Sequence, residues 1–136
     1  MTKFLVVFDV DSTLINEEAI ELLAERAGTR ALVAEVTERA MRGEIDFAQS
    51  LVERVATLAG LPEAILHDVS LELTPTKGAA QLINEIHTRG GKAAAVSGGF
   101  IQLLGAVKAK LGFDIEQANT LEVLDGKLTG RVLGRI

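Results

Sequence analysis

The run Phe4-Leu5-Val6-Val7-Phe8 ends in Asp9-Val10-Asp11, and no other stretch constrains the fold as tightly. Consecutive apolar residues without alternation read as a buried strand of a parallel sheet. Open α/β sheets bind their ligands just outside the carboxyl ends of such strands. Side chains two apart on an extended chain share a side, so Asp9 and Asp11 can face one small site. Like charges held that close repel, which calls for a cation or for one carboxyl to keep its proton. A hard cation such as Mg²⁺ meets the first need, and a general acid beside a nucleophile describes the second. An Asx-type turn that merely stops the strand remains the simpler alternative for these residues alone.

Several helices are expected before a second strand. The segment from about Glu17 to Ala27 places Ile20, Leu22, Leu23 and Ala27 at helical spacing and stops at Gly28. Another stretch, about Arg30 to Arg42, ends at Gly43. Asp46 is a good N-cap with Gln49 three residues on, opening a helix through Leu51, Val52, Val55 and Leu58 to Gly60. Pro62 suits the first turn of a short fourth helix. A βαβ crossover needs only one helix, so the excess reads as a helical cap inserted at 16–72, with 1–15 and 73–136 forming a partial Rossmann-like core.

A further helix is expected from Thr76 to Thr88, and Lys92 to Ser97 reads as a second buried strand through Ala93-Ala94-Ala95-Val96. It ends in Ser97-Gly98-Gly99, and Phe100 to Leu111 reads as a helix. A hydroxyl and glycine amides before a helix N-terminus suit a phosphate, although an ordinary strand-to-helix turn would look the same. Asp114-Ile115-Glu116 reads as a short third strand, and Leu121 to Thr129 as a hairpin on the Asp125-Gly126 turn. The class is α/β.

With 136 residues there is room for one modest domain. The net charge is −5 with no clustered basic face, which argues against nucleic acid or an anionic membrane as partner. Cysteine is absent, which excludes thiol chemistry and disulfides. Met1-Thr2-Lys3 runs directly into the first strand and no stretch reaches membrane-spanning length, so a cytoplasmic location is expected.

Taken together, these segments resemble the N-terminal part of the phosphoserine phosphatase branch of the haloacid dehalogenase superfamily. Phe8-Asp9-Val10-Asp11-Ser12-Thr13-Leu14 carries the superfamily's Asp-x-Asp-x-Thr pattern. Asn16-Glu17-Glu18, Ala40-Met41-Arg42-Gly43, Asp46-Phe47-Ala48-Gln49-Ser50-Leu51 and Arg54-Val55 narrow it to the branch. So do Leu73-Thr74-Pro75-Thr76-Lys77-Gly78, Val96-Ser97-Gly98-Gly99-Phe100 and Asp125-Gly126-Lys127-Leu128-Thr129-Gly130.

The resemblance implies hydrolysis of O-phosphoserine, the last step of serine biosynthesis, with Asp9 as nucleophile and Asp11 as general acid and base. It implies Mg²⁺ held by the Asp9 carboxylate and the Asp11 main-chain carbonyl. Ser97 and Gly98 would bind phosphate, Glu18 the ammonium and Arg54 the carboxylate, with Met41 and Phe47 lining the cap side. A zwitterion needs one acid and one base, and Arg offers a carboxylate a bidentate fork. Each cap residue also has a plainer reading. Glu18 suits a helix start, Arg54 could be a solvated helix charge, and Met41 and Phe47 could be core. His67 and His87 have no partner motif and read as structural or surface.

The family pattern continues beyond Ile136 with a Lys motif and a Gly-Asp-Gly-x-x-Asn-Asp motif. Lys108, Lys110 and Lys127 do not match that Lys in context. The expectation is a truncated form with weak metal binding and little activity alone. Its Phe4–Phe8 strand would be an open edge, paired with a second copy or with a complementing C-terminal segment. A related small-molecule phosphatase or phosphotransferase, and a non-catalytic fragment, remain the alternatives.

Overall fold

Four strands, β1 (Leu5–Phe8), β2 (Lys92–Phe100), β3 (Ile115–Leu124) and β4 (Lys127–Leu133), form one sheet in the order β1-β2-β3-β4. These come from a computed structural model, which describes residues 3–134. β1 and β2 pair parallel, as do β2 and β3, whereas β3 and β4 are antiparallel. Four helices separate β1 from β2 ahead of the crossover helix: α1 (Ala19–Ala27), α2 (Arg30–Met41), α3 (Phe47–Ala56) and α4 (Ala64–Glu72). The crossover helix α5 (Ala79–Thr88) then leads into β2, and α6 (Ile101–Leu111) links β2 to β3. The α/β class is as expected.

Local chemistry explains several boundaries. Asp46 caps α3, its carboxylate accepting from the Gln49 amide at 2.7 Å. Gly28 ends α1 in the left-handed region at φ 73°, where a side chain would be strained. Asp125 and Gly126 both have positive φ, 52° and 76°, as the β3–β4 turn demands. Ala93, Ala94 and Ala95 of β2 are all buried. Their small side chains let α5 and α6 approach the sheet closely.

Two expectations need correcting. The run Phe4 to Phe8 is a parallel strand, but it is not buried. β1 forms an edge of the described sheet, leaving Leu5 51% and Val7 59% exposed. The short strand at 114–116 and the first arm of the hairpin are also one element. β3 pairs with β2 at Ile115–Asn119 and with β4 at Thr120–Leu124, changing partner along its length.

The chain passes between the sheet and the helices α1–α4 at 15–17 and 73–76, and those two passages are tied together. Ile15 bridges Pro75. The Asn16 amide donates to Thr74 O at 3.0 Å, and Thr76 donates to Leu14 O at 2.8 Å. The Glu17 carboxylate accepts from the Thr74 amide at 2.8 Å and from its hydroxyl at 2.5 Å. Farther along, α4 packs on α6 and α3 on β4. Among the described residues no helix is long and apolar enough to cross a membrane.

Candidate active site

Asp9 and Asp11 stand at the end of β1 because Val10 between them is anchored. Val10 is 1% exposed, and its carbonyl accepts the amides of Thr13, Leu14 and Ile15 at 2.9–3.1 Å. With Val10 turned into the core, its two neighbours turn the other way. The tight turn puts Ser12 at φ 59°, a region that non-glycine residues seldom occupy. The Ser12 hydroxyl donates to Glu18 Oε1 at 2.7 Å. Glu18 occupies the N-cap position of α1 but makes no capping bond, so its carboxylate is committed to the site and not to the helix.

The two aspartates are held differently. Asp9 is exposed, and its Oδ1 accepts the Val10 amide at 2.9 Å. Asp11 is half-buried at the start of α1, where it accepts the Ala19 amide. Burial chiefly, then the charges of Glu18 and Asp9, lift its pKa from 3.8 to about 6, against the opposing pull of the Ala19 amide and Arg54. A carboxyl so placed can hold or release a proton near neutrality.

The end of β2 meets them. Ser97 is 3% exposed, and its Oγ accepts the Gly99 amide at 2.8 Å. A side chain on Gly99 would lie 3.0 Å from Ser97 Oγ and 3.7 Å from Asp11 Oδ2, so the two strand ends are in near contact. The helical side closes over them. A side chain on Gly98 would lie 2.8 Å from Phe47 Cζ, which places that ring directly over the turn. Arg54 on α3 donates from Nε to Ser50 O at 3.3 Å. Its burial lowers its pKa, while Glu18 and Asp11 hold it up.

These residues line one cavity of about 340 Å³, with Asp9, Asp11, Ser97 and Gly98 on the sheet side and Glu18, Phe47 and Arg54 opposite. That size suits a small ligand. Met41 does not join it. It is 83% exposed and lines a neighbouring cavity of about 300 Å³ that shares Phe47 and Arg54. Arg54 is therefore not a solvated helix charge, and Glu18 lies one residue ahead of the first helical turn.

The residues fit a hard, loosely held divalent cation. Asp9 and Asp11 bring hard oxygen donors to the cavity, and Mg²⁺ commonly makes do with one or two carboxylates plus substrate phosphate and water. Among the described residues no group of three or more His, Cys, Asp or Glu is gathered around a metal position. The lysines lie elsewhere. Lys108 pairs with Glu116 at 3.0 Å, and Lys110 donates to Leu73 O at 3.1 Å.

Sequence reasoning missed Asn119 and undervalued Ser12. Asn119 is 1% exposed and donates to Gly98 O at 3.1 Å. A signal was present, because Asn is depleted in strand interiors and one in mid-strand invites a specific partner.

The family model for haloacid dehalogenase-like hydrolases matches residues 6–135. A phosphoserine phosphatase of Streptococcus thermophilus is 54% identical over 98% of this chain and 62% of its own length. One from Saccharomyces cerevisiae is 52% identical over 98% of this chain and 44% of its own. Two solved structures are similar, one described as a phospho-aspartyl intermediate analogue of phosphoserine phosphatase and one as a substrate-bound phosphoserine phosphatase complex. Their TM-scores are 0.89 and 0.88 at 45% and 43% identity; each match covers 98% of this chain and 64% or 63% of theirs. The chain thus spans less than two thirds of the length of these relatives. On the family match and this common geometry, the chain belongs to the haloacid dehalogenase-like hydrolases.

Proposed function

We propose that this chain carries the substrate-recognising and nucleophilic part of a phosphoserine phosphatase, with residues 16–72 acting as a cap over the sheet. The observation that supports this most directly is the single cavity, in which an aspartate pair and a Ser-Gly-Gly turn face a Glu and an Arg. O-phospho-L-serine carries a phosphate, an ammonium and a carboxylate, and the cavity offers a counterpart to each.

In this reading Ser97 Oγ–H and the Gly98 amide hold the phosphate, Glu18 the ammonium and Arg54 the carboxylate. A carboxylate oxygen of Asp9 attacks phosphorus while the P–O bond to serine breaks, and Asp11 passes its proton to the departing serine oxygen. Asp11, now ionised, takes a proton from water; the hydroxide attacks the same phosphorus and releases phosphate and the Asp9 carboxylate. A pKa of about 6 suits both roles. The Asp9 carboxylate and the Asp11 carbonyl would hold Mg²⁺, which would supply charge neutralisation to the phosphate. With serine as its product, the reaction would stand at the end of serine biosynthesis in this reading.

A second reading rests on charge. Asp9, Asp11 and Glu18 face Arg54 alone among the described cations lining the cavity. A phosphate dianion needs more positive charge than that. In this reading the chain reaches full activity only with a complementing segment or a second copy, received along the open edge of β1. A related phosphatase for another small phosphate ester would use the same sheet side without Glu18 and Arg54.

Phosphate release from O-phosphoserine by the purified chain with Mg²⁺, run beside Asp9→Asn, tests the first reading. Release lost in the variant supports catalysis by this chain. Absence of release, restored by adding the C-terminal third of a relative, supports the second reading.

A further inference from the structure

β2 leaves its ladder with β3 at the candidate phosphate turn. Val96 pairs with Gln117 and Phe100 with Asn119, so Ser97, Gly98 and Gly99 stand against Ala118 alone. A bulge of this kind takes backbone groups out of the ladder and leaves them needing other partners. The Gly98 carbonyl finds Asn119 Nδ2 at 3.1 Å. A carbonyl only accepts, so the amide nitrogen must be the atom facing it.

The Gly98 carbonyl and the Gly99 amide are opposite edges of one rigid peptide plane. The Gly99 amide donates to Ser97 Oγ at 2.8 Å. The plane is thus held at both edges, by Asn119 on one side and Ser97 on the other. Ser97 Oγ accepts a proton there and keeps its own to donate. Asn119 is itself boxed in, being 1% exposed with its far side against the Gly134 backbone, where a β-carbon has no room.

We propose that Asn119 is a positioning residue for phosphate: by holding the Gly98 carbonyl it fixes the Gly98–Gly99 peptide and orients the Ser97 hydroxyl as an outward donor to a phosphate oxygen. The role is distinct from that of the cavity residues, because Asn119 acts through the turn. It rests on the reading of this site as a phosphate site, and the test separates the two.

The test uses the full chain with Asn119→Leu, Ser97→Ala and the double variant, and Asn119→Asp as a second probe that sets an acceptor against the carbonyl. Two quantities are read. One is the affinity for inorganic phosphate with Mg²⁺, by calorimetry well below the melting temperature. The other is the hydrogen-exchange rate of the Gly99 amide without phosphate, by NMR. Asn119→Leu is expected to weaken phosphate binding about 10-fold and to speed Gly99 exchange by at least about 10-fold. Ser97→Ala should weaken phosphate binding comparably, and the double variant should be no weaker than the worse single, because both act on one donor. Additive losses would overturn the proposal, as would a lowered melting temperature with unchanged phosphate affinity. If the unsubstituted chain binds no phosphate, the proposed function fails for this chain, and the exchange rate alone decides on Asn119. Faster exchange in both Asn119 variants then supports the positioning role, and an unchanged rate overturns it.

Discussion

The two sides of the cavity are built by different means. The sheet side is backbone-rich and local: Asp9 and Asp11 lie two residues apart on one turn, and Ser97, Gly98 and Gly99 form another. Short hydrogen bonds within each turn set its shape, such as Gly99 to Ser97 at 2.8 Å and Val10 to Asp9 at 2.9 Å. The helical side is assembled from side chains of α1 and α3 that reach across. Glu18 is held by Ser12 from the sheet side, and the Phe47 ring rests over Gly98. Under the proposed function the difference divides the labour: the backbone-rich side would act on any phosphate ester and the side-chain side would choose among them.

The largest expected effect falls on the backbone-rich side. Asp9→Asn removes the proposed nucleophile and should lower phosphoryl transfer from phosphoserine by roughly 10³-fold or more, measured as phosphate release with Mg²⁺. Arg54→Ala should sharpen the comparison. It is expected to weaken phosphoserine binding by about 10- to 100-fold, the cost of losing a charged hydrogen bond, and to weaken inorganic phosphate binding far less, through the lost charge alone. Equal losses for both ligands would break the division.

Asp11 gives a stability test. Its folded pKa, about 6, lies above its ordinary 3.8. The folded chain therefore binds that proton more tightly than the unfolded chain, and the contribution of Asp11 to stability declines as pH rises from about 4 to 6 and stays reduced above. Asp11→Asn should be more stable than the unsubstituted chain by about 1–2 kcal/mol at pH 7.5 without Mg²⁺, the full shift being discounted for solvent access. The gap should close near pH 4 in urea unfolding. Gly98→Ala comes next: its methyl displaces Phe47 and should weaken phosphoserine binding several-fold, with the melting temperature nearly unchanged. Met41→Ala should change phosphoserine affinity less than about two-fold, since that side chain is exposed and outside the cavity.

The sheet side was legible because its chemistry is contiguous in sequence. Asp9 to Thr13 and Ser97 to Gly99 carry their geometry in a few residues, and the helix signals at Asp46 and Gly28 are equally local. Glu18 and Arg54 became candidates only through resemblance, because a helix charge looks the same whether it faces solvent or a pocket. Asn119 went unseen because its partner, Gly98, is distant in sequence and the bulge that orphans the carbonyl has no local signature. The run Phe4–Phe8 reads as buried from its own composition, and as an open edge only once the resemblance is drawn. An unbroken apolar run reports an apolar neighbourhood, but not whether a strand lies on both sides.

The parallel pairing of Leu5 with Lys92 has a consequence in time. At about 5–20 residues per second of synthesis, β1 waits on the order of 4 to 17 s for its partner to emerge. The contacts of α1 with α2 and of α2 with α3 link neighbours in sequence and are available throughout that interval. The two strand ends that bear Asp9 and Ser97 are joined only afterwards. A nascent chain paused before Lys92 can therefore bring these helices together while the strand end at Ser97 does not yet exist.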